Sequence, residues 1–546
     1  MELHQVNPFK IKSIANASFK VDKLPFKLKD KNTAEFETIE GIGKSIAAKI
    51  TELFETNTIQ ELDDLMSDTP AGIIEMLSVK GLGPKKIEII WNTLGIENLG
   101  ELYYACNENR LIEAKGFGLK TQEEIKKAIE FKMANAGRFL YAKIENIANS
   151  YLQAFTQKLA LSQSNTQVLL TGAFRRKCEI IEELEYLFVM EQPSAFSTDL
   201  FESEDFETIE LVEEVIHLKD LNGILIQCYC CNPENAALKL LETTGCAAHV
   251  AKVKSYLTAS TPFNSEEEIY AAAGMDFIVP ELRENGNETE KALLHQIPEL
   301  VKFEDLRGTL HNHSPWSDGV HSIEEMAIYC RDELGLSYLG MCDHSKTAVY
   351  ANGLSIERVL QQQEEIDHLN KKLAPFKIFK GIESDILGDG SLDYPDEILQ
   401  KFDFVVASVH SNLKMDEEKA TQRLIKAIEN PYTTILGHPT GRLLLSRAGY
   451  PLDFKKIIDA CAANEVVIEI NANPLRLDLD WRWHQYALEQ GVLLSINPDA
   501  HRKEGFLDMH YGINVARKGG LTAEKCLNAF NLLEINSYFE QRKSKI

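Results

Sequence analysis

A chain of 546 residues is long enough for three or four domains with sizeable cores. Its net charge of −25 argues against a broad, charge-driven coating of nucleic acid, though not against local backbone contacts or a metal-lined anion site. No run of 18 uncharged apolar residues suggests a membrane span, and the opening MELHQVNPFK lacks the apolar core of a signal peptide. The ten cysteines show no repeated CxxC spacing, and Cys228, Cys230 and Cys231 read as strand packing, so a reducing, cytoplasmic setting is expected.

Residues 1–135 are helical in pattern and are punctuated three times: IEGIGKSIAAKI at 39–50, SVKGLGPKKIEII at 78–90 and EAKGFGLKTQEEI at 113–125. Each places an apolar residue between two glycines (Gly41/Gly43, Gly81/Gly83, Gly116/Gly118) and then begins an amphipathic helix. Glycine permits the tight turn, and amides at the next helix start can take a phosphate oxygen. One such turn is an ordinary helical hairpin; three, each followed closely by a lysine (Lys44, Lys85, Lys120), point to a repeated backbone-binding device. They resemble helix-hairpin-helix motifs, which hold DNA through its backbone without reading bases. With 19 basic and 21 acidic side chains through residue 140, this part escapes the acidity of the rest. The region also resembles the lyase and fingers portions of family-X DNA polymerases. NPFKIKSIANA at 7–17 matches their early helix, and Lys49 falls where the family's Schiff-base lysine sits. Ile14 replaces the usual aromatic, which sets deoxyribose-phosphate lyase activity in question; on residue type alone, Lys49 is an ordinary solvated lysine.

Residues 140–300 mix helices and strands. TQVLLTGAFRRKCEIIEELEYLFVM at 166–190 resembles the family-X palm, in which a strand ends at Gly-Ser and arginines lead to an Asp-x-Asp pair. Gly172, Arg175 and Arg176 keep that pattern, whereas Ala173 replaces the triphosphate-contacting serine and Glu183 and Glu185 replace the aspartates. The third catalytic aspartate of the resemblance falls on Gln227. Magnesium demands near-octahedral geometry at about 2.0–2.1 Å, so each Asp-to-Glu change displaces a carboxylate by about a methylene, and Gln removes a charge. Residues 179–214 also carry 13 acidic and no basic side chains, a poor field for a triphosphate. A palm and thumb retained as architecture, with nucleotidyl transfer lost, is expected.

From 305 to 546, apolar strand-like runs alternate with helical stretches at Ser355–Leu369, Asp416–Ile428 and Asp453–Ala463. That rhythm predicts a mostly parallel sheet or barrel with its active centre at the C-terminal strand ends. Ligand-type residues lie at or near those ends: His311, His313, His344, Glu383, His410, His438, Asp499 and His501, with Asp318 in a following loop. His311/His313 and Asp499/His501 are i,i+2 pairs, which point the same way on a strand. A set of imidazoles and carboxylates suits Zn, Mn or Fe without choosing among them. Two such ions about 3.5–4 Å apart can clamp both oxygens of a phosphoryl displacement. The series HNHSPWSDG, CDHS, GIESDI, SVHS, GHPTGR, EINANPLRLDL and NPDAH resembles the motifs of PHP (polymerase and histidinol phosphatase) domains over about 240 residues. The resemblance implies a distorted seven-stranded β/α barrel that binds three divalent metals and hydrolyses phosphoesters. It assigns His311, His313, Glu383 and Asp499 to one metal, Glu383, His410 and His438 to a second, and Asp318, His344 and His501 to a third. Lys346 and Arg442 are candidate phosphate contacts, as is Arg476, while Trp481 and Trp483 read as packing.

The expected architecture is therefore multidomain. An all-α helix-hairpin-helix region spans 1–135, an α+β nucleotidyltransferase-like palm and thumb spans 140–300, and a PHP barrel spans 305–546. The expected activity is metal-dependent phosphodiester hydrolysis on DNA. From the resemblance it is a 3′→5′ exonuclease in repair, acting on gapped or 3′-ended DNA. An active gap-filling polymerase, a histidinol-phosphatase-type enzyme and a non-catalytic gap-binding scaffold are the alternatives.

Overall fold

In the computed structural model the residues described are 1–546 other than 25, 32, 108–109, 135, 163–165, 202, 204, 213, 258–261 and 285. Glu202, Glu204 and Glu213 of the acidic run thus lie outside the described residues. The chain forms two compact units, Met1–Ala136 and Gly137–Ile546. Among the described residues no helix is long and apolar enough to cross a membrane.

The first unit is helical: α1 (Pro8–Asp22), α2 (Lys44–Thr56), α3 (Gln60–Ser67), α4 (Ala71–Met76), α5 (Pro84–Asn92), α6 (Leu99–Asn107) and α7 (Leu119–Ala134). Its three glycine turns share one geometry. Gly41, Gly81 and Gly116 take φ of 89°, 90° and 94°, a conformation open to glycine and costly for other residues. The apolar residue of each turn, Ile42, Leu82 or Phe117, is buried. Gly43 and Gly83 then cap α2 and α5 in extended conformation, and Gly118 precedes α7. Burial of the central residue anchors each turn to a core: Phe36, Ile42 and Ala47 for the first, and Ile73, Ile87, Leu102 and Ile129 among others for the second and third.

The second unit holds two large sheets with separate cores. A short ribbon pairs β1 (Phe139–Leu140) with β3 (Ile180–Ile181). The palm-like sheet contains β2 (Gln167–Thr171), β4 (Glu183–Val189), β5 (Phe206–Val212), β6 (Val215–Asp220) and β7 (Leu225–Cys231), in the order β2-β4-β7-β6-β5. Only β4 and β7 run parallel, which brings Glu185 opposite Gln227. Phe155, Tyr186, Phe188 and Phe201 form its aromatic core.

Strands β8 (Gly308–Thr309), β9 (Tyr338–Met341), β10 (Lys377–Asp385), β11 (Phe404–Ser408), β12 (Ile435–Leu436), β13 (Val467–Asn471) and β14 (Leu494–Asn497) form a sequential, wholly parallel sheet. It curls until the ends nearly meet: Asn312 bridges Ala500, and the His313 amide donates to the Ala500 carbonyl at 2.9 Å. The strands are buried on both faces, as their continuous apolar sequences require. Helices Ile356–Leu373, Glu417–Ile428 and Phe454–Ala463 cover the outside, and Ser355, Asp416 and Asp453 cap them by accepting from Arg358, Lys419 and Lys456 amides. The first helix extends past Leu369 because Leu373 is also buried, and it stops before Pro375. Inside, Tyr338, Phe379 and Phe404 fill the end of the barrel opposite the ligands. Added Cβ atoms at Gly340 and Gly381 would lie 2.6 and 2.4 Å from the Phe404 ring. Phe539 of the C-terminal helix Leu532–Ser544 stacks on Phe404 at 5.2 Å and closes that end.

The palm-like sheet and barrel are joined by buried ion pairs. Lys518 donates to the Arg176 carbonyl at 3.0 Å and pairs with Glu284, which also takes Arg176 at 2.9 Å. Burial alone would raise the Glu284 carboxyl, but Lys518 and Arg176 hold it at about 2.

Candidate metal centre

Six of the seven strands, all but β13, carry or lead into ligand-type side chains, and with Asp318 from the loop after His313 the nine residues arrive at one end of the barrel. His311 and His313 follow β8, His344 follows β9, Glu383 lies on β10, and His410 and His438 follow β11 and β12. Asp499 and His501 follow β14 across the seam from β8. Asn312, between the two histidines, turns away and donates to the Gly340 carbonyl at 3.1 Å. The donor atoms form four overlapping groups, each within 4.8 Å: His313, Asp318, His344 and His501; His311, His313 and Asp499; His311, Glu383 and His438; His344, Glu383 and His410. All nine are therefore brought together. They share members more freely than a partition into three sets implies, since His313 and His344 each belong to two groups.

The centre is buried on one side and open on the other. His311 and His313 side chains are fully buried and Glu383 nearly so, whereas Asp318 and His501 are 29% and 37% exposed and mark the mouth.

Several buried donors have no hydrogen-bond partner: His311 Nε2, His313 Nδ1, His344 Nδ1, His438 Nδ1 and Glu383 Oε2. His344 Nδ1 lies 2.8 Å from Glu383 Oε2, yet neither atom makes a hydrogen bond. Orphaned buried polar atoms are costly, and ligand atoms gathered this closely are what a cation satisfies. The donor set thus fits divalent metal.

Electrostatics agree. Burial would raise the carboxyls, but His410, His311 and His344 hold Glu383 well below its ordinary range, and His311 and His313 do the same for Asp499. Burial would lower the imidazoles, but Glu383 and Asp385 hold His410 up at about 10, and Asp318 and Asp499 hold His501 at about 9. His313 goes the other way: burial, with His501 and His344 adding, pushes it down to about 3. Ionised carboxylates thus share the pocket with protons that a metal would displace.

Three acids inside the motifs support the ligands and were not singled out from the sequence. Glu469 on β13 accepts from His311 Nδ1 at 2.7 Å and from the His438 amide at 2.7 Å. Asp385 lies 2.5 Å from His410 Nδ1. Asp343 accepts from the Ser314 amide and hydroxyl at 2.8 and 2.7 Å and so fixes the loop to Asp318. Such partners set the tautomer and direction of a ligating histidine.

Lys346 is exposed in the loop after His344. Arg442 is directed elsewhere: its Nε donates to the Arg476 carbonyl at 2.8 Å, and its other nitrogens to Asp480 at 2.8 Å and to the Leu477 carbonyl. It braces the 476–480 segment, and a phosphate contact from it would break one of those bonds. Arg476 is nearer the ligands, with Nε 4.0 Å from Asp499 Oδ2 and a buried Nη1 that has no hydrogen-bond partner.

The palm-like cluster is built differently. Gln227 donates to Glu183, and the Tyr229 hydroxyl lies 2.7 Å from Gln227 Oε1 and 3.3 Å from Glu185 Oε1. Glu185 Oε2 accepts from the Ala173 amide at 3.2 Å and fills the space over Gly172, where an added Cβ would be 1.5 Å away. Burial, with the Glu183 charge adding, pushes the Glu185 carboxyl up to about 7. Arg175 is paired with Glu266 at 2.6 Å and Arg176 with Glu284 at 2.9 Å. Among the described residues, no metal-capable group includes Glu183 or Glu185.

In the first unit, Gly43, Gly81, Gly83, Gly116 and Gly118 have nothing described within 4 Å of an added Cβ, so the second and third turns present open backbone, whereas the Lys20 side chain lies 3.0 Å from an added Cβ at Gly41 in the first. Lys44 opens α2, and Lys85 and Lys120 are the second residues of α5 and α7. Lys49 is not a free surface amine: it shares the Glu61 carboxylate with Lys10.

Residues 1–59 match the helix-hairpin-helix domain family, and residues 73–130 match the SAM-like helix-hairpin-helix tandem family. A probable phosphatase of Thermoanaerobacter sp. (strain X514) is 31% identical over 33% of this chain and 74% of its own length, at the C-terminal end of this chain. A probable phosphatase of Acetivibrio thermocellus is 26% identical over 43% of this chain and 96% of its own. The DNA polymerase/3′-5′ exonuclease PolX of Bacillus subtilis (strain 168) is 33% identical over 99% of this chain and 97% of its own length. Similarity that runs through hairpins, palm-like sheet and barrel together places this chain in the PolX family, the bacterial family-X DNA polymerases with a C-terminal PHP region.

Proposed function

We propose that the chain is a metal-dependent phosphodiesterase that trims DNA from the 3′ end, with its polymerase-like sheet kept as framework rather than for nucleotide transfer. The observation that carries this reading is the group of orphaned, converging donors at the barrel mouth. On the family pattern, His311, His313, Glu383 and Asp499 would hold one divalent ion, Glu383, His410 and His438 a second, and Asp318, His344 and His501 a third; the close groups in this chain also set His438 with His311 and His344 with His410, and manganese, zinc and iron all suit these donors. When bound, such ions supply Lewis acidity to the phosphoryl oxygens and acidify water at neutral pH.

The chain's own residues do the rest. Glu469 and Asp385 hold the His311 and His410 rings in direction. The filled end of the barrel excludes water from behind. Arg476 and Lys346 stand as cations for the substrate phosphates, and Arg442 fixes the segment that carries Arg476. The hairpins would hold the DNA backbone through Gly41, Gly43, Lys44, Gly81, Gly83, Lys85, Gly116, Gly118 and Lys120; the second and third turns leave room for close approach, and at Gly41 the Lys20 side chain would have to give way. Lys49, held by Glu61, is poorly placed for Schiff-base chemistry, which needs a neutral amine.

In the palm-like sheet, Glu183 and Gln227 are bonded to each other, Glu185 has turned onto the Ala173 amide, and both arginines are occupied. A triphosphate would have to displace all of these. The test is a labelled gapped duplex with Mn²⁺ or Mg²⁺, with and without nucleotides, run on denaturing gels. Shortening of the 3′ end is expected in wild type, and no +1 product in Asp499→Asn protein, in which trimming cannot erase extension. Restoring Glu183→Asp, Glu185→Asp and Gln227→Asp together should give at most weak extension. A clear +1 product from the unrepaired sheet would overturn this reading.

The similarity to probable phosphatases favours one competing reading, a small phosphomonoester substrate. Faster turnover of p-nitrophenyl phosphate than of any DNA end would support it.

A further inference from the structure

Beside the mouth, the segment after His344 presents an aromatic ring to solvent. Tyr350 is 72% exposed, yet its ring centroid is 6.1 Å from that of His344 and 6.4 Å from that of His410. The ring planes are inclined at 59° and 64°, so the tyrosine stands beside two candidate ligands while most of its surface meets solvent. The backbone under it is tightly held. Ala348 and Ala351 are buried, the Ala348 amide donates to the Ser345 carbonyl at 3.0 Å, and the Gly353 amide donates back to Ala348 at 3.0 Å. Asn352, at φ 55°, donates from its side chain to the Ser317 carbonyl at 3.1 Å, beside Asp318. The Thr347 hydroxyl donates to Asp385, the acid that directs His410, at 2.8 Å. A loop tied at this many points to the ligand framework holds its exposed side chains in place. It also carries Lys346, an exposed cation four residues before the ring.

An ordered aromatic face beside a phosphoester centre is the device by which proteins hold a base without reading it, because every base has a π-face. A phosphomonoester without an aromatic group gives such a ring nothing to stack on. We infer that Tyr350 is the stacking platform for the nucleobase next to the scissile phosphate, which makes the substrate of this centre a nucleotide chain accepted with little base preference. This inference rests on the phosphodiesterase reading above.

The experiment gives Mn²⁺-loaded full-length protein two single strands that differ only at the 3′ residue, thymidine in one and a tetrahydrofuran abasic residue in the other. Tyr350→Ala is expected to lower kcat/KM about tenfold on the thymidine end and less than about twofold on the abasic end, and Tyr350→Phe is expected to match wild type on both. Equal losses on the two ends, or a Phe variant as impaired as Ala, would overturn the inference. A readout without turnover uses a strand ending in 2-aminopurine bound to Asp499→Asn protein. Its fluorescence should be quenched with Tyr350 present and brighten in the added Tyr350→Ala change; no difference would overturn the inference. Wild type that leaves both strands uncut while hydrolysing p-nitrophenyl phosphate would sink the phosphodiesterase reading itself, and the stacking role with it.

Discussion

The barrel and the five-stranded sheet each gather acids at strands that run parallel, and they settle the resulting charge in opposite ways. In the barrel, Glu383 and Asp499 stay ionised among histidines, and several of the surrounding ligand atoms have no hydrogen-bond partner among the described residues. In the sheet, Gln227 donates to Glu183, the Tyr229 hydroxyl lies between Gln227 and Glu185, Glu185 accepts from the Ala173 amide, and burial pushes Glu185 towards its neutral form. One cluster leaves ligand atoms for something from outside; the other has met most of its needs within the sheet. The difference lies in partners rather than in the number of carboxylates.

The hardest blow to this contrast would come from the barrel. Glu383→Ala or Asp499→Asn is expected to lower phosphodiester hydrolysis by more than about a thousandfold while changing gapped-DNA affinity by less than about threefold, measured by single-turnover cleavage and by anisotropy. Loss of affinity in step with activity would mean that the barrel, not the hairpins, holds the DNA.

The sheet can be tested through its own titration. Glu185 sits at about 7 when folded against an ordinary 4.5, so between those values the folded chain keeps a proton that the unfolded chain releases. Stability should fall as pH rises through that window, by about 3 kcal/mol, and level off above 7. Glu185→Gln should remove the fall, gaining up to about 3 kcal/mol at pH 8 and almost nothing at pH 4.5, read from urea midpoints. If Mg²⁺ stabilised wild type more than the variant at pH 8, the sheet would be a metal site after all.

With the acidic sheet set aside, DNA contact falls to the hairpins. Residues 1–136 alone should bind gapped DNA without sequence preference. Three lysine contacts imply an affinity loss of about fortyfold between 50 and 200 mM salt. Salt-independent binding would remove Lys44, Lys85 and Lys120 from the interface. The smallest expected effect tests the supports: Asp385→Asn should weaken Mn²⁺ binding about tenfold by calorimetry and leave the fold intact. An unchanged affinity would make the 2.5 Å contact to His410 incidental.

Much of the barrel was legible because its signal is local. A buried parallel strand must be apolar and must stop, so His344, His410 and His438 stand out at the stops. Glu469 and Asp385 were not legible, because an acid inside or closing a strand gives no local sign of which histidine it will meet across the barrel. Arg442 shows the same limit from the other side. Its position beyond β12 was plain, but its bonds to the 476–480 segment depend on a loop more than thirty residues away. In the sheet, sequence showed that Glu185 and Gln227 depart from the aspartates of the family. It did not show that Glu185 would turn onto the Ala173 amide, since that depends on the room left over Gly172.

The ring of Phe539 laid against Phe404 makes the barrel a cul-de-sac. Whatever reaches the ligands must come from one side only, and whatever is released must leave by the same opening. Under the phosphodiesterase reading proposed above, each cycle then includes an interval in which product and remaining substrate share one doorway.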